Sequence, residues 1–178
     1  AGDYTGAADY LAQGFAVKQQ VGECASCDVL LYHAAVPIYL ALGDLTRAEH
    51  ACQKADEVSR AFSSRAWIAA ARYLRGLFDA RRGAWSGAVG ALESARDLYA
   101  ALDQPYDLAR CLEALAHLAH HTEIDPLGLD ADELREQALV IYRNLGAEGD
   151  RRRLEANPAD FLGLAASPLP VVGAPDAS

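Results

Sequence analysis

The sequence predicts an all-α fold, an α-solenoid of stacked antiparallel helix pairs, from three observations. Just over half of the 178 residues are apolar, and they recur at the three- and four-residue spacing of amphipathic helices. Alternating runs of Val, Ile and Thr, which would indicate strands, are absent from the sequence. Similar segments recur with a period of about 40 residues, a length typical of units that contain two helices.

The repeat is clearest around three glycines. GDYTGAADYLAQG begins at Gly2, GDLTRAEHACQKA at Gly43 and GAWSGAVGALESA at Gly83, and an alanine follows each glycine by five positions. A fourth copy is looser and relates Tyr99 in LYAALD to Tyr142 in IYRNLG. We therefore expect each unit to be two helices joined by a glycine turn.

Turn and capping residues divide the chain into its helices. A left-handed glycine ends a helix, while Ser, Thr or Asp caps, or a proline in the first turn, begin one. The predicted ends are at Gly43 and Gly83, and the predicted starts are marked by Ser26 or Asp28, Asp44 or Thr46, Ser63 or Ser64, Pro105, and Asp130. The predicted helices lie near residues 4–20, 28–42, 46–61, 65–82, 85–101, 105–121, 131–145 and 148–156.

These features resemble tetratricopeptide repeats. The matching positions are the turn glycines Gly43 and Gly83, the second-helix alanines Ala48, Ala55, Ala88 and Ala95, and the first-helix aromatics Tyr32 and Tyr39. The third unit departs from the pattern, with Arg72 and Asp79 at the aromatic positions. The longer period and the ending ALVIYRNLGAEGDRRRLE are similar to the C-terminal repeat domains of bacterial LuxR-type and related signal-transduction ATPase regulators.

The resemblance covers residues 2 to about 156, and it implies a concave groove lined by the first helix of each pair. We assign residues 1–156 to this repeat domain. Residues 157–178 are predicted to be a Pro/Ala-rich tail or linker, because four of the seven prolines lie there. No DNA-reading helix-turn-helix is evident after the repeats.

Composition excludes several classes of function. A formal net charge of −9 argues against direct contact with nucleic acid. No apolar run approaches the ~20 residues that span a bilayer, and no signal peptide is evident, so we expect a cytoplasmic protein. Phosphate-loop, nucleophile-elbow and zincin motifs are missing from the sequence. The chain is therefore expected to be non-catalytic and to need no cofactor.

Cys24 and Cys27 form a Cys-x-x-Cys motif within GECASCDVLLYH. A structural zinc site needs four ligands, usually from a second close pair of Cys or His, and that second pair is missing. Incidental thiols are the favoured interpretation. A disulfide or redox pair, and a metal site, are the alternatives.

A second candidate lies in EALAHLAHH. The four-residue spacing of His117 and His121 would let both bind one metal ion, with Glu113, Glu123 or Asp125 as a third ligand. The alternative is that these side chains lie in the last turn of a helix and face water.

A third candidate is a stripe of charged side chains opposite the apolar face of the helix near 65–82: Arg65, Arg72, Arg75, Asp79 and Arg82. If this helix lines the groove, Arg72 and Arg75 would stand beside Glu113 and His117 of the next unit. Arginine suits a carboxylate or phosphate on a ligand. A solvated helix face is the alternative.

The sequence thus predicts a protein- or peptide-binding repeat module, as the sensor or scaffold part of a bacterial transcriptional regulator. One alternative is a domain that senses a small-molecule effector. Another is self-association into a homodimer, because residues 2–20 look like half a repeat and would leave one solenoid end without its neighbour.

Overall fold

A computed structural model describes residues 3–22, 24–121 and 129–156. These residues form eight helices and no strand: α1 (Tyr4–Val21), α2 (Ala25–Ala41), α3 (Leu45–Ala61), α4 (Arg65–Arg81), α5 (Trp85–Ala101), α6 (Pro105–His121), α7 (Ala131–Asn144) and α8 (Glu148–Ala156). The all-α prediction is confirmed. The predicted tail, residues 157–178, lies outside the described residues.

The helices pack in chain order, and the most extensive contacts join α2 to α3, α4 to α5 and α6 to α7. Short turns join α2 to α3 and α4 to α5, which makes these two pairs antiparallel. Helix α4 also packs directly against α2 and α6. The first helices of the three pairs therefore form one continuous layer, as expected for an all-helical repeat array of the tetratricopeptide-like kind.

A left-handed residue recurs in the turns between successive helices. Gly43, Ser63, Gly83 and Asp103 have φ angles of 73°, 51°, 78° and 53°, and they are evenly spaced along the chain. The helices α3, α4 and α5 between these turns are equal in length. Each repeat is thus built from two helix-and-turn units of the same size.

The first of these turns shows how one helix ends and the next begins. The N–H groups of Gly43 and Asp44 donate to the carbonyls of Leu40 and Tyr39 at 3.1 and 2.9 Å, which satisfies two carbonyls at the end of α2. The Asp44 side chain then accepts from Arg47 N–H at 2.9 Å and caps α3. Two adjacent residues therefore end one helix and start another.

Most predicted helix ends agree with the structure to within one residue. Ser64 and Asp130 are the observed caps of α4 and α7, and Pro105 begins α6. The prediction that α2 starts at residue 28 is wrong, because this helix begins at Ala25. Its N-cap is Cys24, which makes no side-chain capping hydrogen bond.

Small residues allow the close approach of α4 and α5. The repeat alanines Ala88 and Ala95 are completely buried. A Cβ atom added to Gly76 would lie 2.6 Å from Cγ of Leu92 and 3.2 Å from the carbonyl oxygen of Ala88. The backbone of α4 therefore rests directly on α5 at this point.

Among the described helices, none is both long enough and apolar enough to cross a membrane.

Two helical glycines in this pair provide a test of the packing. Gly76→Ala should destabilise the protein by about 1–3 kcal/mol, because the added methyl group overpacks the α4–α5 contact. Gly90→Ala should stabilise it by about 0.5–1 kcal/mol, because nothing lies within 4 Å of the added Cβ and alanine is the better helix former. Urea unfolding of both variants measures the difference. Equal effects of the two substitutions would contradict the close approach.

Candidate functional site

A half-open groove of about 440 Å³ lies on the layer formed by the first helices. It is bounded by α2, by the N-terminal half of α4 and by the start of α6, with the end of α5 closing one side. The lining residues are His33, Pro37, Ala66, Trp67, Ala70, Tyr73, Leu74, Tyr99, Gln104, Asp107 and Arg110. Three helix pairs thus contribute to one mainly apolar surface.

Aromatic rings form one wall of the groove. The His33 and Trp67 rings lie 5.2 Å apart at a tilted angle. Nδ1 of His33 is 2.7 Å from the carbonyl oxygen of Val29, so this nitrogen must carry a proton and donate it. Burial lowers the pKa of His33, which favours a neutral imidazole beside the indole ring at neutral pH.

The opposite end of the groove is polar. The Arg110 guanidinium lies 4.6 Å from the centre of the Tyr73 ring, and its Nη1 atom is 3.4 Å from Oδ1 of Asp107. Tyr73 Oη is buried and has no partner with hydrogen-bond geometry among the described residues. The polar end of the groove is therefore formed by Asp107 and Arg110 beside the Tyr73 ring.

Alanines explain why the groove is open between these two ends. Ala66 and Ala70 lie one turn apart on α4 and are only half-buried. Pro37 lies inside the continuous helix α2 and faces the same space. A proline has no amide hydrogen to donate, so the local shape of α2 at the groove depends on this residue.

The structure places the predicted charged stripe of α4 in contacts within the chain. Arg72 donates to Ser94 Oγ on α5 at 2.5 Å. Arg75 and Arg82 both bind Asp79, each at 2.8 Å. Arg65, at the start of α4, is exposed. None of these five residues lines the groove, and their role in ligand binding stays a prediction.

The position of Asp79 differs from the prediction of a polar, solvated face. Its side chain is only 6% exposed, and both arginines also lie over the Phe78 ring, with centroid distances of 5.5 and 5.4 Å. A Cβ on Gly87 would meet Asp79 Oδ2 at 3.3 Å, so α5 leaves room for this carboxylate. The ion triad therefore lies within the last turns of α4, and its buried carboxylate faces the start of α5 at Gly87.

The expectation that Glu113 and His117 face water is wrong. Their exposures are 3% and 4%. Glu113 accepts a hydrogen bond of 2.9 Å from Tyr142 Oη and binds both terminal nitrogens of Arg153. The carboxylate is buried because α7 and α8 both supply a donor to it. The side chain of His121 lies outside the described residues.

No group of three or more His, Cys, Asp or Glu within the described ranges is placed to hold a metal ion. Glu123 and Asp125, the other predicted ligands, lie outside those ranges. The Sγ atoms of Cys24 and Cys27 are 2.7 Å apart. Cys52 and Cys111 are buried in the core, where burial raises the pKa of each thiol to about 12.

One signal in the sequence could have identified the groove. Trp67, Ala70 and Leu74 follow one another at helical spacing on the apolar face of the helix near 65–82. Trp67 and Ala70 are only half-buried, because their neighbours on this face are small. A large aromatic residue next to alanines on the first helix of a pair can therefore indicate the wall of a groove and not only a buried core.

Comparisons with protein-family models, with curated proteins and with solved structures find no match to this chain.

The contacts of the buried Glu113 carboxylate predict that it stabilises the fold rather than binding a ligand, and two arginine variants test this. Arg153→Ala should destabilise the fold by about 2 kcal/mol, because it removes one partner of a buried charge; the value is below that of a fully buried pair because Arg153 is 39% exposed. Its neighbour Arg152 is 73% exposed, so Arg152→Ala should change stability by less than about 0.5 kcal/mol. Thermal unfolding at neutral pH compares them. Equal melting temperatures would show that the Glu113–Arg153 pair does not stabilise the solenoid.

Proposed function

We propose that this chain is a non-catalytic binding module that holds an extended peptide segment of a partner protein in the groove between α2, α4 and α6. The observation that carries the proposal is the groove itself, about 440 Å³ in volume and bounded by residues from three helix pairs. Solenoids commonly bind partners along such surfaces.

The chemistry of the walls suits a peptide. The half-buried ring of Trp67 offers apolar area to a side chain of the partner, and residues of this kind contribute most of the binding energy at interfaces. Asp107 and Arg110 offer an acceptor and a donor at the polar end.

The shape supports a peptide over a small molecule. The groove is within the ~300–1,000 Å³ range of small-molecule sites, which keeps an organic effector as the second candidate. Small-molecule sites, however, usually enclose most of the ligand surface. This surface is half-open, and an extended chain can enter and leave at its ends.

The biological setting is proposed from the resemblance of the repeats alone. We place the module in a bacterial transcriptional regulator of the LuxR-type or signal-transduction ATPase class, as its cytoplasmic sensor or scaffold. A partner that binds one curvature of the solenoid better than another would shift the population towards that state. The attached domains would then respond to the shift.

Self-association is a third candidate, supported by a different surface. On α1, Tyr10, Val17 and Val21 share one face and are 77%, 54% and 73% exposed. An apolar stripe of this kind at the end of a solenoid is a typical site for a second copy.

A peptide library displayed on phage and selected on the purified chain tests the groove. Binding of a selected peptide should fall by about tenfold or more in Trp67→Ala, because an aromatic anchor is lost. Trp85→Ala is the matched control, since Trp85 lies outside the groove. Titration calorimetry measures both affinities.

A second pair of variants tests the groove even if Trp67→Ala fails to fold. Ala70→Gln should block the groove, and so weaken peptide binding, without removing any packing contact. Ala91→Gln is its control, because Ala91 lies on α5 outside the groove and the substitution should leave the groove open. Selected peptides that bind all four variants with the affinity of the original chain would overturn the proposal.

Sedimentation velocity at tens of micromolar tests the self-association candidate. A dimer that Val17→Glu converts to a monomer would support the α1 surface, because a buried charge opposes association. A monomer of the unchanged chain at this concentration would eliminate this candidate.

A further inference from the structure

The start of α2 brings two thiols together on a surface that the proposed groove does not use. Cys24 is the N-cap of α2 and Cys27 lies in its first turn. The backbone of Cys24 is extended, so its side chain is not held at the Cβ spacing of about 5–6 Å of residues three apart within a helix, which would be too long for a disulfide. The two Sγ atoms are 2.7 Å apart. Both side chains therefore already point towards each other.

Solvent and reagents can reach this pair. Cys27 is exposed and Cys24 is half-buried, whereas Cys52 and Cys111 lie in the core. Exposure and thiolate character together decide which cysteines react. The chain thus contains one accessible vicinal pair and two enclosed thiols that serve as internal controls.

The helix start distinguishes the two accessible thiols from each other. The pKa of Cys24 is lowered chiefly by the hydrogen bond with the Cys27 side chain. The same sulfur–sulfur hydrogen bond raises the pKa of Cys27. A free N–H group at a helix N-terminus favours a negative charge on the cap residue. Cys24 is consequently the nucleophile of the pair.

An acidic neighbour would oppose a thiolate, but the one on α2 is paired. Asp28 Oδ1 lies 2.8 Å from Nζ of Lys18 on α1. The pKa of Lys18 is raised, chiefly by this hydrogen bond to Asp28, so the amine stays charged. The ion pair reduces the repulsion that Asp28 alone would exert on Cys24.

We propose that Cys24 and Cys27 are a reversible dithiol–disulfide pair that exchanges with low-molecular-weight disulfides. Cys24 as thiolate attacks one sulfur of a disulfide RS–SR; a Cys24–SR bond forms, the RS–SR bond breaks, and the first RS⁻ leaves and takes up a proton. Cys27, after losing its proton, attacks the Cys24 sulfur and displaces the second RS⁻. Two protein thiols are oxidised by two electrons, and RS–SR is reduced to two RSH.

The probe is oxidised glutathione, mixed with reduced glutathione at a series of ratios, with the full chain and a metal chelator present. After acid quenching, the free thiols are alkylated under denaturing conditions and the intact mass is recorded. The chain has four cysteines. We expect the loss of two alkylatable thiols without any bound glutathione, and peptide mapping should place both losses at Cys24 and Cys27.

Single variants test the order of the two steps. Cys27→Ser should retain glutathione on Cys24, because no second thiol can displace it. Cys24→Ser should keep Cys27 largely alkylatable at the same ratios, since Cys27 is the weaker nucleophile. Both positions lie at the surface end of α2, and circular dichroism checks that each variant stays helical.

Three results would overturn the proposal. One is full alkylation of all four thiols across the whole series of ratios. Another is oxidation mapped to Cys52 or Cys111 in the folded chain. The third is a mixed disulfide on the unchanged chain as persistent as that on Cys27→Ser, which would show that Cys27 does not attack Cys24.

Discussion

The architecture depends on one constraint, the short turn whose left-handed residue recurs at even spacing, at positions 43, 63, 83 and 103. A left-handed residue ends a helix by redirecting the chain, and in this solenoid the next residue is the N-cap of the following helix. Equal spacing of the turns gives helices of equal length. Equal helices can then stack in register, with each pair burying the apolar face that its neighbour exposes.

The groove is a consequence of this stacking. Because α4 packs directly against both α2 and α6, the first helices form a layer whose surface spans three pairs. Elsewhere a buried charge joins helices directly: Glu113 on α6 binds Tyr142 on α7 and Arg153 on α8. On α4, the small side chain of Ala70 and the half-buried ring of Trp67 leave the groove open.

Local signals in the sequence were sufficient for the helices but not for the site. Gly83 is a glycine, the residue type that favours a left-handed turn, so the adjoining helix ends could be predicted from the sequence. Asp103 adopts the same left-handed backbone without being glycine, and its role could be seen only from the even spacing of the turns. Glu113 looked solvated because its partner Arg153 lies far along the chain, on α8. A groove along the first helices was expected from the resemblance, but its lining residues were not identified, since they come from helices far apart in sequence.

Amide hydrogen exchange of the chain with and without a selected peptide tests the central claim most directly. Backbone amides that a ligand orders or covers exchange more slowly. The account predicts that peptide-dependent protection is concentrated in residues 29–40, 66–74 and 104–110, which border the groove on α2, α4 and α6. Protection confined to α1, or to the outer helices α3 and α5, would contradict it.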